Sequence, residues 1–305
     1  MKTINEKSKL SLIKKTADGI RKRVLEHTIT NNGGYLSQAC SSAEIFASLY
    51  EEIMNLGSIE APMMPEQFVS VPNKNFPFKT GADFNGKKSE ETDRFILSPA
   101  QYALVLYAAL VEVGRMDNEG MLQFNKDGST VEMIGAEHSP GMEVMTGSLG
   151  QGLSQASGIA MARKLKGETG NVWVFMSDGE FQSGQNWEAI QAASFHELSN
   201  LKIIVDVNRQ QCDGAISSVM TIEPFDTRLS SFGAHVVSLN GHDIQGIIDA
   251  ANVDTGNKPL VILANTNPSE GFELLNKRAP KLHYVRFTSA EEKSMYEKVL
   301  ADINK

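Results

Sequence analysis

Apolar residues at Ile13, Ala17, Ile20 and Val24 recur at steps of four, three and four, which predicts one stripe of an amphipathic helix over about 8–28. A second helix is predicted to start near Ser41, where Ser41 and Glu44 fit a capping box and Ile45, Leu49 and Ile53 share a face. Between about 57 and 92 the pattern dissolves into Pro, Asn, Lys, Gly and Met, as expected of an excursion over the surface. Periodicity returns with a short strand at Arg94–Ser98, after which Ser98-Pro99 reads as the N-cap and first turn of a helix reaching about Val113. Four further apolar runs follow, at Asn171–Ser177, Leu201–Val207, Ala234–Leu239 and Pro259–Ala264. They are continuous rather than alternating, as in strands buried on both faces. Helical segments at Leu153–Leu165, Trp187–Leu198 and Ile244–Asn252 separate them. The fold class this predicts is α/β, a parallel sheet with helices on both faces.

Composition narrows the partners more than the fold. The 305 residues carry 29 Lys and Arg against 37 Asp and Glu, a formal charge of −8, with the acidic excess scattered along the chain. That disfavours nucleic acid as a partner. No run of 18 apolar residues and no apolar signal core occurs, so neither a membrane span nor standard export is expected. Two cysteines, Cys40 and Cys212, are too few for a disulfide framework and lack zinc spacing, so a cytoplasmic location is the expectation. Gly81–Lys88 nearly spells a phosphate-binding P-loop. Lys88 stands where Ser or Thr is required and no apolar strand precedes it, so it reads as a surface loop.

In an open parallel sheet, ligands bind beyond the carboxyl ends of the strands. One run ends in Ser177-Asp178-Gly179-Glu180, the next in Asp206-Val207-Asn208-Arg209-Gln210. Adjacent strands would thus bring Asp178 and Asn208 together, a carboxylate and an amide oxygen suited to Mg²⁺ or Ca²⁺. The alternative is that Asp178 caps a helix and Asn208 makes a turn. Gly179 has no Cβ to keep a phosphate away. A second glycine-rich stretch, Thr146-Gly147-Ser148-Leu149-Gly150-Gln151-Gly152, runs into a helix start, where free N–H groups attract anions.

Between Gly179 and the Val207-Asn208 pair lie 27 residues. This resembles the thiamine diphosphate motif, Gly-Asp-Gly, an intervening segment of this length, then Asn-Asn, with Ser177 and Val207 replacing the first residue of each part. Together with Asn186-Trp187-Glu188-Ala189, Gly241-His242-Asp243 and the stretch from Pro140 to Gly152, the series resembles the diphosphate-binding domain of a transketolase over about 10–285. The resemblance implies one such domain over 1–285 and a helical tail over 286–305. It implies thiamine diphosphate with Mg²⁺ (or Ca²⁺) held by Asp178, Asn208 and the carbonyl of Gln210. Gly147, Ser148, Leu149, Gly179 and Glu180 would contact the cofactor. It further implies a missing pyrimidine-binding domain, so that the chain would be the N-terminal subunit of a split transketolase. A C-terminal subunit would complete it, in an α2β2 heterotetramer acting on a sugar or sugar-phosphate-like substrate.

The departures fall on proton-handling positions. Tyr35 and Gln101 stand where the family has histidines, and His138 is the nearest candidate for a third, displaced by several positions. Ser183 replaces a glutamate, whereas His283 resembles a late active-site histidine of the family. Gln cannot pass protons and Tyr ionises near pH 10, yet both still hydrogen-bond a substrate oxygen. The pocket is therefore expected to take an atypical substrate. Two other functions stay open: an acyl transferase that decarboxylates a 2-oxo acid, and a non-catalytic regulatory homologue.

Overall fold

The computed structural model describes residues 2–304. Five parallel strands form the sheet in the order β1 (Arg94–Leu97), β2 (Val172–Ser177), β3 (Leu201–Val207), β7 (Leu260–Asn265) and β6 (His235–Asn240). A two-residue ribbon, β4 (Gln210–Gln211) with β5 (Gly214–Ala215), projects just beyond β3. Successive side chains of a strand point to opposite faces, and here both faces are covered. Phe95, Leu97, Trp173, Phe175, Ile204 and Ile262 face one core with α1 (Lys2–Thr30), α2 (Leu36–Ser48), α3 (Ala103–Glu112) and α9 (Ile244–Ala251). Ile96, Val174, Met176, Ile203 and Val205 face the other with α5 (Gly152–Lys166), α6 (Gly184–Phe195) and α8 (Phe225–Ser231). Single turns α4 (Asn118–Met121) and α7 (Ile216–Val219) lie in the connections. The last helix, α10 (Ala290–Ile303), has its first turn capped by the Ser289 hydroxyl and docks on the first core through buried Tyr296.

The helix stripe Ile13, Ala17, Ile20 and Val24 is fully buried, as its period predicts. Four local expectations are corrected. Ser41 and Glu44 do not open a helix: α2 starts at Leu36, and both side chains are spent in the interior, Ser41 on Asp206 and Glu44 on Arg21 and His242. Ser98 is not an N-cap, because its hydroxyl donates to Glu180 and a 3₁₀ turn, Ala100–Tyr102, leads into α3. Strand β6, at one edge of the sheet, is only half covered. Within the 57–92 excursion, residues 81–86 other than Asp83 are buried rather than superficial. They include a 3₁₀ helix, Gly81–Asn85, pressed so close to Ser139 that a Cβ on Gly81 would lie 1.7 Å from its carbonyl oxygen. No helix among the described residues is long and apolar enough to cross a membrane.

Candidate active site

The register Ser177↔Asp206 between β2 and β3 delivers Asp178 and Asn208 to one edge of the sheet. Between them Arg209 adopts φ +58°, a left-handed conformation that a non-glycine residue takes only when its surroundings fix it. Here they do: the Arg209 N–H donates to Asp178 Oδ2 at 2.7 Å, and its guanidinium donates to Asn265 Oδ1 at 2.7 Å on β7. The turn thus ties three strand ends together. Gly179 N–H donates to Asp178 Oδ1 at 2.9 Å.

Behind this edge lies Asp206, fully buried, which the sequence reading left without a role. Its carboxylate accepts from Ser41 Oγ (2.5 Å), Tyr102 OH (2.7 Å), Asn208 Nδ2 (3.0 Å) and the Thr266 hydroxyl. Asn208 Nδ2 also donates to Tyr102 OH at 2.9 Å, so the amide oxygen turns the other way, where it accepts from the Gln210 N–H at 2.9 Å. Asp206 therefore sets which face of the Asn208 amide looks into the site. Burial, reinforced by the neighbouring Asp206 charge, pushes the Asp178 carboxyl up to about 8, against the pull of two backbone N–H groups. These two buried carboxylates, with no lysine or arginine side chain bonded to either among the described residues, are suited to a bound cation. Asp178, Asn208 Oδ1 and the Gln210 carbonyl offer one charged and two neutral oxygens, a donor set that fits Mg²⁺ completed by phosphate and water.

The glycine turn is tied to the same edge. Glu180, expected to touch the cofactor, is fully buried, and its oxygens accept from Ser98 Oγ (2.6 Å), Ser177 N (3.2 Å) and Gly150 N (3.4 Å). Its carboxylate ties the glycine turn to Ser98 and the end of β2. Burial moves it up to about 7. Gly147 (φ +101°) and Gly150 (φ +92°) hold conformations that favour glycine, and a Cβ on Gly147 would lie 3.4 Å from Ala100. Gln101 thereby sits beside the turn, its Oε1 buried without a partner, as is Gln210 Oε1.

Tyr35 and His283 come together: the rings meet edge to face at 5.5 Å, Tyr284 packs on Tyr35 at 4.9 Å, and Gln38 Nε2 lies 3.2 Å from His283 Nδ1. Burial lowers the His283 imidazole and raises the Tyr35 phenol. His138 belongs to another wall, stacked on Phe68 at 5.4 Å with its Nε2 3.6 Å from Glu132. Gln38, Tyr102, Thr266 and Tyr284 carry no motif that marks them in the sequence. Only Asp206 carried a signal, as the one acid inside an apolar strand.

Fold and site together define a parallel α/β domain whose polar side chains gather at the carboxyl ends of its central strands, where open sheets of this kind bind ligands. Residues 75–278 match the family described as transketolase, thiamine diphosphate binding domain, and the chain belongs to this family. A transketolase family protein of Sinorhizobium fredii, y4mO, is 33% identical over 276 residues, 89% of each chain. One of the subunits of the apulose-4-phosphate transketolase of Actinobacillus succinogenes is 28% identical over 89% of this chain and 90% of its own. The 6-deoxy-6-sulfo-D-fructose transketolase subunit SqwG of a Clostridium species is 30% identical over 84% of each. Among solved structures, the transketolase of Campylobacter jejuni superposes with a TM-score of 0.71 at 20% identity, over 96% of this chain and 47% of that one. The chain thus spans under half of the transketolase structure it matches, but 90% of the apulose-4-phosphate transketolase subunit.

Proposed function

We propose that this chain is the diphosphate-binding subunit of a two-chain transketolase, moving a two-carbon ketol unit from a ketose-type donor to an aldehyde. The reading rests above all on Asp178 and Asn208 meeting at adjoining strand ends beside a glycine turn, in a chain of subunit length. Asp178, Asn208 and the Gln210 carbonyl would hold Mg²⁺; Gly179 would admit the diphosphate, and Gly147, Ser148 and Leu149 would face the rings. When bound, thiamine diphosphate supplies the carbon nucleophile and electron sink of the reaction. The chain's own groups position oxygens. With Gln38 engaged at Nδ1, His283 offers Nε2 to a substrate oxygen, and its lowered pKa keeps the ring neutral at pH 7. The Tyr35 hydroxyl and Gln101 amide hydrogen-bond a substrate without relaying protons. That suits a nonstandard sugar, in keeping with relatives named for apulose 4-phosphate and a sulfofructose.

The second chain, carrying the pyrimidine-binding domain, would complete each site in an α2β2 assembly in the cytoplasm. Ketol transfer measured with the chain alone, the partner alone and the two mixed tests the reading. Activity confined to the mixture supports it; turnover by the purified chain overturns it.

A further inference from the structure

Apart from the Asp178 edge, the 57–92 excursion folds over a cavity of about 500 Å³. Its apolar lining includes Met63, Met64, Phe68, Phe76, Phe78 and Phe84, a volume and surface suited to an aromatic or alkyl group. Three carboxylates, Glu66, Asp83 and Glu137, stand against one ammonium, Lys79, which is already paired with Glu66. A phosphate or sulfonate entering here would meet net negative charge and no unpaired cation.

The cavity is joined to the glycine turn by 135–138. On one side the Gly81 N–H donates to the Glu137 carbonyl at 2.8 Å; on the other the Thr146 N–H donates to the Gly135 carbonyl at 2.7 Å, next to Gly147. His138, stacked on Phe68, forms part of its wall. Ile134 next to Gly135, Met145 next to Thr146 and Leu149 within the turn are exposed apolar side chains. We infer that this cavity is the acceptor pocket, and that the acceptor is an uncharged aldehyde with an aromatic or long alkyl group instead of a sugar phosphate. The inference rests on the transketolase reading and adds the substrate class.

Two measurements test it, one of them independent of turnover. The chain is labelled with ¹³C-methyl methionine, Met63 and Met64 are assigned through Met63→Leu and Met64→Leu, and 3-phenylpropan-1-ol is added as a non-reacting probe. Both methyls shift with the alcohol but not with inorganic phosphate, and Phe78→Asp, at a half-exposed position, abolishes the shift. Unmoved Met63 and Met64 methyls overturn the pocket. With the partner, thiamine diphosphate and Mg²⁺, 3-phenylpropanal outperforms glycolaldehyde about tenfold in kcat/KM. Phe78→Asp removes that advantage, while Phe78→Lys improves erythrose 4-phosphate. Transfer to glycolaldehyde with no gain for 3-phenylpropanal overturns the acceptor class and leaves the transketolase reading standing. Absence of transfer to every acceptor, with the methyls shifted, overturns the transketolase reading and with it the acceptor role.

Discussion

Replacing Asp206 by alanine separates what this carboxylate does for folding from what it does for the site. Four donors converge on it, but they do not all lose everything. Ser41 Oγ retains its second acceptor, the Gln38 carbonyl at 3.2 Å, and Asn208 Nδ2 retains Tyr102 OH at 2.9 Å. The Tyr102 and Thr266 hydroxyls are left without an acceptor. At about 1–3 kcal/mol for buried Tyr102, with half-buried Thr266 adding less, the cost is about 3 kcal/mol, or a fall in Tm of about 6 °C for a domain this size. The effect on the cation site is larger than stability alone suggests, because the Asn208 amide is freed to turn its oxygen away. Loss of a group that orients a ligand costs about 10–100-fold in metal affinity. Calorimetry of thiamine diphosphate with Mg²⁺, in the presence of the partner and well below Tm, reads that loss directly. Asp206→Asn keeps an acceptor oxygen and falls between native and alanine. Native affinity in a folded Asp206→Ala protein refutes the reasoning.

Burial lowers the His27 imidazole from 6.5 to about 4, where it packs edge to face on Phe124 at 5.0 Å. The folded state therefore resists a proton that the unfolded chain accepts below pH 6.5, so stability falls as pH drops through 6.5 and the loss is complete below about 4. Unfolding free energies from urea titrations at pH 7.5 and pH 5 differ by about 2 kcal/mol more in the native chain than in His27→Gln; equal differences contradict the assignment. Gly150→Ala places a Cβ 2.7 Å from the Ser183 Cβ at φ +92°, so the turn shifts off Glu180. Cofactor affinity falls at least tenfold with a loss of about 1–3 kcal/mol in stability, while an unchanged affinity shows that the turn does not face the cofactor.

The sheet was legible because its strands are continuous apolar runs, and the β3 boundaries are those the sequence predicts. Asp178 and Asn208 were legible for a topological reason: polar residues directly after such runs must lie at one sheet edge. Ser41, Glu44 and Ser98 misled because a hydroxyl or carboxylate near an expected helix start looks locally like a cap. Their real partners, Asp206, Arg21, His242 and Glu180, are far away in the chain. The 57–92 segment lacks periodicity because it is held by irregular contacts, such as the close approach of Gly81 to Ser139. The environment of His138 follows from that segment, and no spacing rule reaches it.

The central claim is that the two strand ends form the cation and diphosphate site of one half of an enzyme. The most direct test titrates Mg²⁺ and thiamine diphosphate by calorimetry into the mixture of this chain and its partner, with native chain and with Asn208→Ala. The account predicts Mg²⁺-dependent binding by the native mixture and a loss of at least a hundredfold in Asn208→Ala. Binding that is indifferent to Mg²⁺ or to Asn208 would contradict it.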